Sequence, residues 1–247
     1  MFGRGGFLSN MPDVTKNLLI INGLMFLVLI TGENFGHQLN RILGLYYPGS
    51  QAFSPYQFAT HFFMHGNFMH LFFNMYALFL FGSVLERYWG PKRFLIFYII
   101  TALGASLLQI GVQHFRIMSL ASEVQPEMIQ AIKTEGLELL RGYQNYTDET
   151  LGALNILYNI PMVGASGAVF GLLLGFGMLF PNTELMLIFI PIPIKAKYFV
   201  MFYGALELFL GVANLQGDNI AHFAHIGGML FGFFLIKYWQ KGRNDFY

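Results

Sequence analysis

Pro161-Met162-Val163-Gly164-Ala165-Ser166-Gly167-Ala168-Val169-Phe170-Gly171 sets a serine among small residues at the head of an apolar run that reaches Phe180. Serine needs help to become a nucleophile, and a neutral histidine is a common helper. A histidine in suitable surroundings stands in the last apolar segment, in Ala224-His225-Ile226-Gly227-Gly228. The pair reads as a serine nucleophile and a general base set within apolar segments. The fold therefore depends on whether those segments cross a membrane.

Composition says that they do. The 247 residues are 55% hydrophobic, 17% aromatic and 11% charged, against about 25% charged in a soluble domain. Mean hydropathy is +0.52, and several runs approach the ~20 residues that span a bilayer. The fold class is an all-α polytopic membrane protein. Net charge is +1, which gives no case for nucleic acid. With no cysteine in the chain, disulfides, thiolate metal sites and a cysteine nucleophile are excluded. Met1 to Thr15 is polar and Gly-rich and lacks a signal-peptide pattern, so the first apolar segment is expected to stay as a membrane helix.

Six spans follow in order: about Asn17–Thr31, interrupted by Asn22-Gly23; about Phe68–Leu85; about Phe94–Val112; about Ser166–Phe180; about Tyr198–Ala213; and about Ile220–Tyr238. Residues 1–13 form an N-terminal tail, 14–240 the membrane domain and 241–247 a C-terminal tail. Between spans one and two lies a mixed loop with aromatics and prolines, suited to the membrane interface. The polar stretch Gln113–Ile160 holds six of the thirteen acids and reads as a long outer loop with one short amphipathic helix. Pro181-Asn182 ends span four, and an apolar Pro-rich hairpin follows over Leu185 to Ile194. With both termini inside, cytoplasmic segments carry ten Lys and Arg and outer segments four, as the positive-inside rule expects. No internal repeat is evident, which weakens a transporter built from inverted repeats.

Polar groups inside spans are costly, so each is a candidate functional residue. The richest cluster is His61-Phe62-Phe63-Met64-His65-Gly66-Asn67-Phe68-Met69-His70-Leu71-Phe72-Phe73-Asn74. His70 and Asn74 are four apart and share one helix face, on a helix expected to start near Asn67. Bland alternatives stand beside these readings. Gly-Ala-Ser-Gly often does no more than pack helices closely. Gly228-Met229-Leu230-Phe231-Gly232 is best read as packing. A lone His225 is more often structural, and His61 with His65 makes a poor zinc argument without a carboxylate. Glu207, in span five, reads as a satisfied structural acid without an assigned role.

Taken together, the motifs resemble one family, the rhomboid intramembrane serine proteases. The resemblance runs from about Val14 to Trp239. It is carried by His65-x4-His70-x3-Asn74 in span two, Gly164-Ala165-Ser166-Gly167 at the head of span four, and Ala224-His225-Ile226-Gly227-Gly228 in span six, with Glu86-Arg87 after span two. It implies a six-helix rhomboid-like bundle with Ser166 as nucleophile and His225 as general base. His70, Asn74 and the Ser166 backbone N–H would form the oxyanion hole. Where the family often has a tyrosine four residues after the serine, this chain has Phe170, keeping the ring and losing the hydroxyl. Tyr56-Gln57 stands where some members carry Trp-Arg.

The expected chemistry is peptide hydrolysis by a Ser–His dyad. No acidic third member is evident, since Asp218 lies two helical turns before His225 and outside the membrane. Phe170 would hold the imidazole by stacking, and Gly164 and Gly167 would let a substrate backbone approach. Water must reach the site, so the polar residues of spans two, four and six would line an outward-facing cavity. The expected partners are transmembrane protein substrates and the lipid bilayer. No metal or other cofactor is implied, and the sequence does not give the oligomeric state. A bacterial inner membrane is the expected location. A catalytically silent client-binding relative and a small proton-coupled transporter are the competing readings.

Overall fold

The computed structural model describes residues 10–32, 34–187, 190–213 and 221–241. Eleven helices and one hairpin make up these residues. They are α1 (Asp13–Thr31), α2 (Asn34–Leu43), α3 (Gln57–Thr60), α4 (Phe68–Ala77), α5 (Ser83–Trp89), α6 (Pro91–Ala121), α7 (Pro126–Arg141), α8 (Glu149–Asn159), α9 (Ser166–Leu179), β1 (Glu184–Leu187), β2 (Ile190–Lys195), α10 (Ala196–Ala213) and α11 (His222–Lys241). Four helices are long and apolar enough to cross a membrane: Asp13–Thr31, Phe68–Trp89, Pro91–Ala121 and Ala196–Ala213. Ser166–Leu179 is a shorter apolar helix. The expected all-α membrane bundle is therefore found. The expected count of six spans also needs α9 and α11.

Several segments differ from the sequence reading, each for a local reason. Asn22-Gly23 does not interrupt α1. Asn22 donates from Nδ2 to the Leu18 carbonyl one turn back, at 2.8 Å, a local bond that an unbroken helix accommodates. The second span is one continuous rod whose middle, Leu78–Gly82, is a π-helical turn. Nor does the outer loop begin at Gln113, because α6 runs on to Ala121 with no breaker to stop it. The polar side chains there find partners. Tyr47 Oη lies 2.7 Å from His114 Nδ1, Gln113 donates to the Leu157 carbonyl, and Arg116 donates to the Gly211 carbonyl at 2.8 Å. The remainder of that stretch is two helices, α7 and α8, around a small core of Ile117, Ile132, Leu154 and Tyr158. The Pro-rich hairpin is present, with Glu184 opposite Lys195 and Leu185 opposite Ile194.

The helices α6, α9 and α11 form the inner group, and glycines set their spacing. A Cβ on Gly228 would stand 1.8 Å from the Gly167 carbonyl oxygen, so α11 touches the backbone of α9. That bears out the packing reading of the Gly228–Gly232 pair. Ten of the fourteen residues of α9 are buried, so it is wrapped by protein along most of its length. By contrast α10 buries only Ala196, Val200, Glu207 and Gly211 and exposes Met201, Phe202, Leu208 and Phe209. The heads of α4, α9 and α11 lie at one end of the bundle. At the other end Trp89 meets Trp239, with ring centroids 5.5 Å apart. There Glu86 holds the start of α1, accepting from Val14 N at 2.9 Å, Thr15 N at 2.7 Å and Thr15 Oγ1 at 2.7 Å. The two amides are donors that a helix start leaves without intrahelical partners.

Candidate active site

The chain reaches Ser166 through a non-helical segment. Leu45 and Met162 pair across it, with Leu45 N donating to Met162 O at 2.9 Å and Met162 N to Leu45 O at 2.8 Å. Gly164 N donates to the His61 carbonyl at 3.0 Å. Gly164 has φ +121°, a conformation that a side chain strongly disfavours. A Cβ there would also stand 2.6 Å from the His70 ring. Ala165 caps α9 and Ser166 is its first residue, so the Ser166 N–H has no acceptor within its own helix. A small cleft with room for about one water molecule lies beside the serine, lined by His61, Met162, Val163, Gly164, Gly167 and Ala224 among others.

Ser166 and His225 meet, although 59 residues separate them. Ser166 Oγ lies 2.9 Å from His225 Nε2, with the hydroxyl placed to donate to the ring nitrogen. Phe170, one turn along α9, stacks on the imidazole with centroids 4.1 Å apart and planes 6° from parallel. Tyr203 of α10 covers the other side of Phe170 at 5.1 Å. The expected stacking is therefore in place, and the ring plane of His225 is set by packing.

His70 and Asn74 reach the same corner from α4. Asn67 caps that helix, its Oδ1 accepting from His70 N at 2.8 Å, as the spacing suggested. The His70 ring abuts Gly164, and Asn74 Nδ2 lies 3.8 Å from where a Gly164 Cβ would be. Asn74 is buried, and its Nδ2 has no hydrogen-bond partner among the described residues. A buried donor without an acceptor is costly. It is the property expected of a group kept for a charge that appears during reaction. His61 is different, with Nδ1 at 2.8 Å from the Gln57 carbonyl and Nε2 at 3.0 Å from Ser106 Oγ, a satisfied core histidine.

Gly167 lines the cleft, and it also packs against α6: a Cβ there would meet Ala105 Cβ at 2.4 Å. One expectation needs correction, and it concerns the acid. His225 Nδ1 lies 2.8 Å from Glu207 Oε2, so an acidic partner is present where none was expected. Asp218, the acid weighed from sequence, falls outside the described residues. The same Oε2 is 2.6 Å from His222 Nδ1. A carboxylate oxygen accepts, so both imidazoles donate to it from Nδ1.

The signals for these two residues were present in the chain. Glu207 is an acid inside an apolar span, and His222 precedes His225 by three residues on the same helix face. Glu207, His222 and His225 also group as a ligand set for a cation. An ion about 2.1 Å from each atom would hold the nitrogen and oxygen roughly 3.4 Å apart at tetrahedral angles. At 2.6 and 2.8 Å they are hydrogen-bonded directly.

A family model for the rhomboid domain matches residues 52–241. Rhomboid protein 1, mitochondrial, of Saccharomyces cerevisiae is 25% identical over 186 residues, covering 74% of this chain and 42% of that protein. Rhomboid-like protein 15 of Arabidopsis thaliana is 30% identical over 120 residues, covering 47% of this chain and 27% of that protein. The chain thus spans less than half the length of either relative. With the family match over most of its length, and the serine, histidine and Asn74 motifs inside that match, the chain belongs to the rhomboid family.

Proposed function

We propose that this chain is an intramembrane serine endopeptidase that cleaves single-pass transmembrane proteins. The observation that carries the proposal is the 2.9 Å contact between Ser166 Oγ and His225 Nε2, with the imidazole held flat against Phe170. Ser166 Oγ attacks the scissile carbonyl carbon while its proton passes to His225 Nε2. The carbonyl oxygen becomes an oxyanion, met by the Ser166 N–H at the head of α9 and by the side chains of His70 and Asn74. The C–N bond then breaks as Nε2 returns the proton to the leaving amine. Water, deprotonated by the same nitrogen, hydrolyses the acyl-serine and restores the hydroxyl. No cofactor enters this scheme.

In the proposed topology α9 and α11 complete six spans, both termini face the cytoplasm, and α7 and α8 lie on the outer side. The Lys and Arg distribution supports that orientation. The inner membrane of a bacterium belongs to the same proposal. The test is cleavage of a model transmembrane substrate by wild type and by Ser166→Ala, alongside labelling with a fluorophosphonate. Wild type should cleave and label at Ser166, and the variant should do neither. An unlabelled, inactive wild type would favour a silent client-binding protein or a transporter. Orientation is tested with Ser166→Cys and a small membrane-impermeant thiol reagent. The chain has no cysteine of its own, so labelling from the cytoplasmic side alone would overturn the topology.

A further inference from the structure

We infer that Glu207 is the positioning acid of His225, and that His222 holds Glu207 in place. The inference rests on the serine-protease reading above. Stacking on Phe170 fixes the plane of the His225 ring but not its tautomer, because an aromatic face treats both nitrogens alike. Ser166 needs a bare Nε2 to receive its proton. Glu207 Oε2, 2.8 Å from Nδ1, supplies the missing choice: a carboxylate oxygen there places the ring proton on Nδ1 and leaves the Nε2 lone pair facing Ser166. When the hydroxyl proton arrives, the resulting imidazolium has its counter-charge already in contact.

Burial makes this arrangement more than a surface ion pair. Glu207, His222 and His225 are 4%, 5% and 7% exposed, on helices at membrane depth. An acid there is retained only with partners. Glu207 is turned inward on a helix whose neighbouring positions, Leu208 and Phe209, face outward. Its inward face meets two imidazoles from successive turns of α11. His222 lies 2.6 Å from the same carboxylate oxygen. Its part is to keep Oε2 aimed between the two rings, so that the bond to His225 survives side-chain rotation.

The experiment uses full-length protein with 15N-labelled histidine, and three versions of it: wild type, Glu207→Gln and His222→Ala. In wild type the His225 resonances should show the proton on Nδ1. Glu207→Gln keeps the shape but can donate from its amide, so the proton should move to Nε2. Turnover, kcat, should fall by about 10²- to 10⁴-fold, the scale of a tautomer error in a serine hydrolase, with KM changed less than about twofold. His222→Ala should lower kcat by about tenfold, as expected for losing one charge-assisted hydrogen bond at one remove. A wild-type His225 protonated on Nε2 would overturn the inference even if neither variant folds. So would a Glu207→Gln protein with unchanged kcat, or one with reduced kcat and an unchanged tautomer. Failure of the protease reading looks different: wild type itself would neither cleave nor take up fluorophosphonate.

Discussion

Each end of the bundle buries one glutamate, and the two are equally hidden, at 4% exposure. At the end away from the serine, Glu86 accepts two amides and a hydroxyl at the start of α1. At the serine end, Glu207 accepts two imidazoles. Burial does not separate them. What differs is what lies behind the donor. An amide N–H ends a chain of contacts, and Glu86 therefore ties two helices together. An imidazole has a second nitrogen, and the one on His225 faces Ser166 Oγ. A carboxylate placed behind an imidazole is coupled to chemistry, whereas one placed behind amides is coupled to folding.

That contrast can be broken most directly at the serine end. Ser166→Ala and His225→Ala should each lower cleavage by about 10⁴-fold or more, while thermal unfolding in detergent stays within a few degrees of wild type. A variant that unfolds as well would mean that this end, too, is mainly structural. Next in size are His70→Ala and Asn74→Ala, each expected to reduce kcat by about 10²- to 10³-fold through loss of an oxyanion donor. Neither should abolish it, because the Ser166 N–H remains. Unchanged rates in the double variant would remove α4 from the reaction.

A smaller effect sharpens the comparison within the site. Phe170→Leu keeps apolar bulk and loses the stacked ring, a contact worth about 0.5–1.5 kcal/mol. Turnover should drop by about two- to tenfold, with the tautomer of His225 preserved, since the acid and not the ring sets it. Least effect on rate is expected from Glu86→Gln. That variant should cost about 1–3 kcal/mol of stability, read as a lower unfolding temperature, with kcat per folded molecule as in wild type. A loss of kcat without a loss of stability would erase the distinction between the two glutamates.

The parts of this molecule that were legible in the sequence are those written in local pattern. Apolar runs marked the helices of the bundle, Pro181-Asn182 marked the end of α9, and Asn67 marked the head of α4. The stacking of Phe170 was legible too, because its position relative to Ser166 is set within one helix turn. What escaped depends on how helices are rotated about their own axes. Glu207 and His225 sit on different helices, and only the docking of α10 on α11 turns them toward each other. The packing role of Gly167 escaped for the same reason: nothing near it in the chain says that α6 presses on it. The extension of α6 to Ala121 was hidden because its polar residues find acceptors on Leu157 and Gly211, both distant in sequence.

The brevity of α9 restricts how this site can be adjusted. Fourteen residues rise about 21 Å, well short of a ~30 Å hydrocarbon layer, and the helix is held inside the protein rather than stretched across lipid. Ser166 is its first residue, so under the proposed protease activity the number of residues in α9 sets the level at which a substrate would be cut. That level is not continuously tunable. Adding or deleting one residue shifts Ser166 by about 1.5 Å but also swings it by about 100° around the helix, away from His225 and off the Phe170 stack. Only changes of three or four residues restore the facing, and each moves the cut by about 5 Å. On that proposal, the position of cleavage along a client helix would behave like a gear with widely spaced teeth. Finer choice of the scissile bond would fall to the client, through how readily its own helix unwinds at that level.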